Sequence, residues 1–328
     1  MMAAGVLLAA ATAVVGGVAG ANGECTHLYP PGVHKVELDR RFFLLLVPEG
    51  LPTDREVPIV VDTPGFSESP YYQMELTALL EYLSIYQWVG VIPFGSAVVP
   101  TETCCPAGIP AAECESGVTL DKQNPCSFNA GGCCGHAKTA AVDDVGFTRR
   151  IVGWARENMC VDEKHTFATG FSNGGMMSNR LGCEAADLFS MVAPVAGNVR
   201  IGGDLTACDP ARPVGWVSLC GTEDSACNRD FEETAKEWSK RNKCADRDPV
   251  PTFTTATTAC YKFEDCAAHT EYCVLDGLDH EWPGRPRPDG TSPEQPSTNV
   301  DATAFIFQRY AATLGLAAPA AVNMTAQA

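Results

Sequence analysis

The sequence is short of positive charge. Lys and Arg number 23 against 40 Asp and Glu, which leaves -17 at neutral pH, and the basic residues are scattered without a run. Nucleic acids and anionic membrane surfaces are held by basic patches, so neither is expected as a partner. Histidine is scarce, with six residues, and no two cysteines stand at C-x-x-C spacing. A zinc site is therefore not expected, and the chemistry read below calls for neither a metal nor an organic cofactor. Beyond the first twenty or so residues no apolar run is long enough to span a bilayer. Internal repeats, a Ser/Thr/Pro-rich linker and low-complexity tracts other than the alanine-rich ends are also missing, which argues for one domain.

What is present fits that picture. A chain of 328 residues with 45% hydrophobic and 19% charged residues has globular composition and enough length for a sizeable core. Its opening stretch, "MMAAGVLLAAATAVVGGVAGANGEC", is apolar and rich in small residues and reads as a signal peptide over 1–21. Ala19 and Ala21 satisfy the small-x-small rule at the cleavage point, with Gly23 as an alternative, although no Lys or Arg precedes the apolar run. All sixteen cysteines lie beyond that point, as suits an exported, oxidised protein. The even number permits full pairing, but spacing does not reveal the partners. In the adjacent pairs Cys104/Cys105 and Cys133/Cys134 each member is expected to reach a different partner, because bridging neighbours strains the backbone.

Periodicity predicts alternating strands and helices. "VPIVVDTPGF" and "QWVGVIPFG" read as strands around a helix whose Met74, Leu76, Leu79, Leu80 and Leu83 follow helical spacing. From 143 the pattern resumes with "DDVGFTRRIVGWARENM" as a helix, "KHTFATGFS" as a strand and "NGGMMSNRLGCEA" as a helix. Then come "FSMVAPVAG" and "VGWVSLCG" as strands, "FEETAKEWSKRN" as a helix, "TEYCVLDG" as a strand and "VDATAFIFQRYAATLG" as a closing helix. The expected fold class is α/β, with a mostly parallel central sheet and helices on both faces. Residues 34–50 are open to either one long strand or a hairpin at the sheet edge. Residues 96–142, with six cysteines and no sustained periodicity, read as a disulfide-stapled loop insertion. The catalytic domain is set at 25–316, followed by a loose tail over 317–328 with a glycosylation sequon at Asn323.

One short motif points to chemistry. In "GFSNG" Ser172 stands between Gly170 and Gly174 where a strand is expected to turn into a helix, the setting of a nucleophile elbow. The glycines give the sharp turn its freedom, and the helix N-terminus favours developing negative charge. A serine hydroxyl needs a base, and the later chain supplies an acid and a histidine at successive strand ends. Asp224 follows "VGWVSLCG", and His280 follows "TEYCVLDG". Glu223 and Asp230 are alternatives for the acid, whereas His269, the other late histidine, precedes its strand. As general base His280 must be unprotonated, so activity is expected to rise through roughly pH 6 to 7.

The motifs "GFSNGGMMSNRLGCE", "NAGGCCG" with "VDDVGF", "VAPVAG", "CGTED" and "DHEWPG" together resemble the polyhydroxybutyrate depolymerase-like esterase family, whose relatives include secreted feruloyl and acetylxylan esterases. The similarity runs from about residue 35 to 314. It implies an α/β-hydrolase fold, serine carboxylic-ester hydrolysis, and a triad falling on Ser172, Asp224 and His280. Two departures stand out. The family carries His-Gly after its first central strand, where a backbone amide forms half of the oxyanion hole, but this chain has "DTPGF", and Pro64 has no N–H. The oxyanion donors are then assigned to the amides of Phe66 and Asn173. Where the family tends to have a further histidine stands Cys220, and a disulfide from it would tether the loop carrying Asp224. Trp282 is open to two readings, as a substrate-binding ring stacked on a phenolic acyl group or as a packed turn aromatic.

The function expected is a secreted esterase cleaving feruloyl or acetyl esters of polysaccharides. A poly(3-hydroxybutyrate) or short-polyester depolymerase is the rival, and a catalytically inactive extracellular binding protein is the alternative from another class. The oligomeric state is left unassigned.

Overall fold

The computed structural model describes residues 25–98, 126–198, 207–227, 229–291, 300–317 and 319. The expected signal peptide, Cys104, Cys105 and Cys114 with the centre of the expected loop, and Asn323 lie outside the described residues.

Among the described residues ten strands form one sheet in the order β1-β2-β4-β3-β5-β6-β7-β10-β9-β8. The edge hairpin is β1 (Gly32–Leu38) and β2 (Arg41–Val47), antiparallel with Leu38 opposite Arg41. Of the two readings open for residues 34–50, the hairpin is therefore the one found. Its two-residue turn, Asp39–Arg40, has both φ values positive, 53° and 64°, which matches the right-handed twist of the flanking strands. The parallel centre follows, with β3 (Val57–Thr63), β4 (Val89–Pro93), β5 (Val161–Phe171), β6 (Met191–Val195), β7 (Gly215–Gly221) and β10 (Thr270–Leu275). Beyond β10 lie two antiparallel strands, β9 (Thr258–Lys262) and β8 (Val250–Thr254), which the periodicity did not predict.

Alternate residues of the central strands feed two cores. Phe43, Leu45, Ile59 and Val61 face one side, together with Phe147, Ile151, Met177, Leu181 and Trp238. Leu44, Leu46, Val60 and Ile92 face the other, with Tyr72, Leu83, Phe305 and Tyr310. Covering on both faces explains why the strands read as unbroken apolar runs instead of alternating ones.

Helices α1 (Pro70–Leu76) and α2 (Leu79–Tyr86) replace the single helix expected there. Ser69 caps α1 by accepting from Tyr72 N, and Pro70 takes the first turn. The break falls between Thr77, whose hydroxyl lies 2.9 Å from the buried Asp62 Oδ2 and 2.8 Å from Gln73 O, and Ala78 in the left-handed region. The short helix α3 (Gly135–Thr139) precedes α4 (Asp144–Asn158). Of the two acids opening α4, Asp143 caps it through Gly146 N, and buried Asp144 pairs with Arg41 of the hairpin at 2.7 Å. The remaining helices are α5 (Asn173–Glu184), α6 (Phe231–Arg241) and α7 (Ala302–Thr313).

Every cysteine among the described residues is disulfide-bonded. Cys25 pairs with Cys160, Cys183 with Cys208, Cys220 with Cys227, Cys244 with Cys266, and Cys260 with Cys273. Cys133 is joined to its neighbour Cys134, contrary to the expectation of separate partners.

Candidate active site

The elbow forms where β5 gives way to α5. Ser172 adopts φ 52° and ψ -114°, a strained conformation for a residue with a side chain, held by Ser172 N donating to Val195 O and Met176 N donating to Ser172 O. The turn fits only because its neighbours lack side chains. A Cβ on Gly174 would collide with the carbonyls of Thr63 and Pro64, and one on Gly170 would meet Thr63 O at 2.5 Å. The elbow therefore lies directly against the end of β3 and the loop that follows.

Two further strand ends bring their groups to Ser172. His280 Nε2 lies 2.8 Å from Ser172 Oγ, and His280 Nδ1 lies 2.9 Å from both Asp224 carboxylate oxygens. Asp224 is fully buried, and its Oδ1 also accepts from Ala226 N. Glu223 is exposed and Asp230 stands at the start of α6, and of the three acids it is Asp224 whose carboxylate lies against the imidazole. The Cys220–Cys227 disulfide closes the loop around Asp224, as the cysteine in "SLCGTED" suggested. Glu223 N donates to Leu278 O and Thr222 N to Leu275 O, which ties this loop to the one bearing His280. His269 instead pairs with Glu271.

Electrostatics favour a charged imidazole. Burial alone would push the His280 imidazolium pKa down, but the hydrogen bond and charge of Asp224, with the charge of Glu68 behind it, outweigh that effect. Arg287 opposes them, and the net direction is upward.

The loop after β3 offers one unclaimed amide. Pro64 has none, Gly65 N donates to Glu68 Oε2 at 2.8 Å, Ser67 N to Cys126 O, and Glu68 N to Gly65 O. Phe66 N has no acceptor among the described residues. The side chain of Asn173 is fully engaged, Oδ1 accepting from Phe128 N and Nδ2 donating to Phe128 O, and its own amide lies at the orphan first position of α5. Phe66 is 41% exposed and lines an open surface depression of about 400 Å³ with Gly132, Cys133, Cys134, Gly135 and Lys138.

Of the two readings open for Trp282, the packed turn aromatic is the one found, and its expected role as a substrate-binding ring is corrected. Its ring is 1% exposed and its indole N–H donates to Thr303 Oγ1, so it packs beneath the site and presents no face to a bound acyl group. Two charged residues were missed. Glu68 lies in "FSESP" and Arg287 in "GRPRP", and neither stretch has a spacing that signals a role. Arg287 donates to the His280 carbonyl at 2.9 Å and to Glu281. Among the described residues no group of three His, Cys, Asp or Glu side chains is placed to hold a metal ion.

No family model matches the chain. In sequence it is similar to feruloyl esterase B of Piromyces equi, 32% identical over an alignment of 176 residues that covers 47% of this chain and 31% of that protein. It is also similar to a probable feruloyl esterase C of Aspergillus terreus, 28% identical over 138 residues, 41% of this chain and 49% of that one. The match thus spans less than half the length of these curated relatives. In structure it resembles an acetyl xylan esterase from Aspergillus awamori with a TM-score of 0.54 at 14% identity, covering 76% of this chain and 94% of that one. The fold is that of the α/β-hydrolases. The sequence matches are to feruloyl esterases over part of their length, the structural likeness shows the fold alone, and none of the proteins named here is a polyhydroxybutyrate depolymerase.

Proposed function

We propose that this protein is a secreted serine carboxylic-ester hydrolase acting on feruloyl or acetyl esters of polysaccharides. What carries the reading is the unbroken series from Ser172 Oγ through His280 to Asp224. As Oγ attacks the ester carbonyl, His280 Nε2 takes its proton, and Asp224 holds the imidazole tautomer and stabilises the imidazolium. The amides of Phe66 and Asn173 receive the oxyanion. The imidazolium then protonates the departing alcohol, which leaves an acyl group on Ser172. Water attacks this acyl-enzyme with His280 again as base, and the acid is released.

The intact series weighs against a catalytically inactive binding protein on the same scaffold. The sequence relatives favour feruloyl esters over polyesters as substrate class. Export is supported by the composition of residues 1–21 and by the disulfides.

A fluorophosphonate probe tests the chemistry, since it reacts only with an activated serine. Labelling should map to Ser172 and vanish in Ser172→Ala, together with turnover of methyl ferulate and aryl acetates. Labelling retained in Ser172→Ala, or none in folded wild type, overturns the esterase reading. Faster cleavage of hydroxybutyrate oligomers than of feruloyl and acetyl esters overturns only the substrate class.

A further inference from the structure

Glu68 stands on the loop between β3 and α1, beside the elbow. It closes the turn Gly65–Glu68 twice, with its amide donating to Gly65 O at 3.2 Å and its carboxylate accepting from Gly65 N at 2.8 Å. Ser67 sits at the third position of this turn with φ 67°, the geometry of a type II turn, which few residues other than glycine adopt unaided. The carboxylate lies over Gly65 so closely that a Cβ there would fall 2.5 Å from Oε2.

This arrangement decides which amide the loop leaves over. Pro64 offers no donor, and Glu68 occupies the next one. Ser67 N is taken by Cys126 O, so the turn leaves Phe66 N as the loop's unclaimed donor among the described residues. The same carboxylate lies within electrostatic reach of His280, which otherwise faces Asp224 across the site and Arg287 on its own loop. Around Glu68 itself stand His280, Arg287 and, more weakly, Asp62, and its charge is also felt by Tyr72.

We infer that Glu68 is a positioning residue for the ester hydrolysis proposed above. Its carboxylate locks the Gly65–Glu68 turn so that Phe66 N–H is left for the oxyanion, and it places a second negative charge behind the His280 imidazolium. The inference rests on the esterase reading. Burial pushes the Glu68 carboxyl up to about 7, against the Gly65 hydrogen bond and the charges of His280 and Arg287, so this second charge develops over the range in which a histidine titrates.

Two variants separate the roles. Glu68→Gln keeps an acceptor for Gly65 N–H and loses the charge, whereas Glu68→Ala loses both. Steady-state hydrolysis of p-nitrophenyl acetate across pH should show Glu68→Gln with most of the plateau kcat and its acid limb moved to lower pH, since an imidazolium without that counter-charge releases its proton sooner. Glu68→Ala should lose about tenfold or more in plateau kcat with KM little changed, as expected when an oxyanion donor is misplaced but ground-state binding is not. Variants matching wild type in kcat and acid limb, or a rise in KM with kcat kept, overturn the inference while wild type still turns over. Wild type inert to both ester and fluorophosphonate overturns the esterase reading and this one with it.

Discussion

At the scale of single residues, Asp224 is the carboxylate hydrogen-bonded to His280 and acts on its charge more strongly than Glu68 does. Asp224→Asn keeps the volume but turns the amide's donor or a weaker acceptor toward Nδ1. By analogy with the serine-protease template, kcat should fall about a thousandfold to ten-thousandfold at neutral pH. The pH profile gives an independent check. Because the His280 pKa is raised, the imidazole stays protonated, and useless as a base, to higher pH than a free histidine. The acid limb of kcat/KM in wild type should therefore lie above the ordinary histidine range, and in Asp224→Asn it should move down; a limb that stays put in the variant would remove the carboxylate from the mechanism. The sequence reading placed this limb at pH 6 to 7 because it used an unperturbed histidine. Ser172, Asp224 and His280 were legible because each follows an apolar strand whose end is marked in the sequence. Trp282 was not, since standing two residues from His280 does not say which way a ring turns, and here it turns inward to Thr303. Glu68 and Arg287 acquire their places only when loops more than two hundred residues apart meet.

Among the elements, the loop from Cys220 to Cys227 couples covalent structure to the site. Its disulfide spans a sequence separation of 7, and Asp224 sits in its middle. So short a ring removes less chain entropy than a long one, so its larger effect should be on geometry. Replacing both cysteines by serine should lower kcat and slow fluorophosphonate labelling of Ser172 more than it lowers the thermal midpoint; a large loss of midpoint with kcat unchanged in the folded protein would show that the bridge serves only stability. The parallel centre of the sheet was readable from β-branched apolar runs alternating with helical spacing. Strands β8 and β9 were not, because each is only five residues long, β8 is largely exposed and interrupted by Pro251, and β9 carries no apolar run. The split between α1 and α2 was hidden for another reason. Apolar spacing continues through it, and the break falls at Ala78, whose left-handed backbone leaves no mark on the apolar pattern.

For the molecule as a whole, a charge of -17 acts at a distance on any charged substrate. Feruloyl esters carried on a polyuronate should be cleaved more slowly at low salt than the same esters on a neutral sugar, with the gap narrowing as ionic strength rises and the Debye length falls to about 10 Å near 0.1 M. Rates compared across a salt series would check this, and equal rates at low salt would show that charge near the site does not follow the total. The two rims of the sheet matter at the same scale. An open ten-stranded sheet offers unpaired backbone groups along both outer strands, a template on which a second molecule can add its own strand. At one rim Pro251 removes a donor from β8, and the register shifts between Pro251 and Phe253. At the other, exposed Lys35 and Glu37 punctuate β1, and Pro30 and Pro31 stand just before it. Both rims thus discourage strand addition, which favours dispersed single molecules over fibrils in concentrated solution.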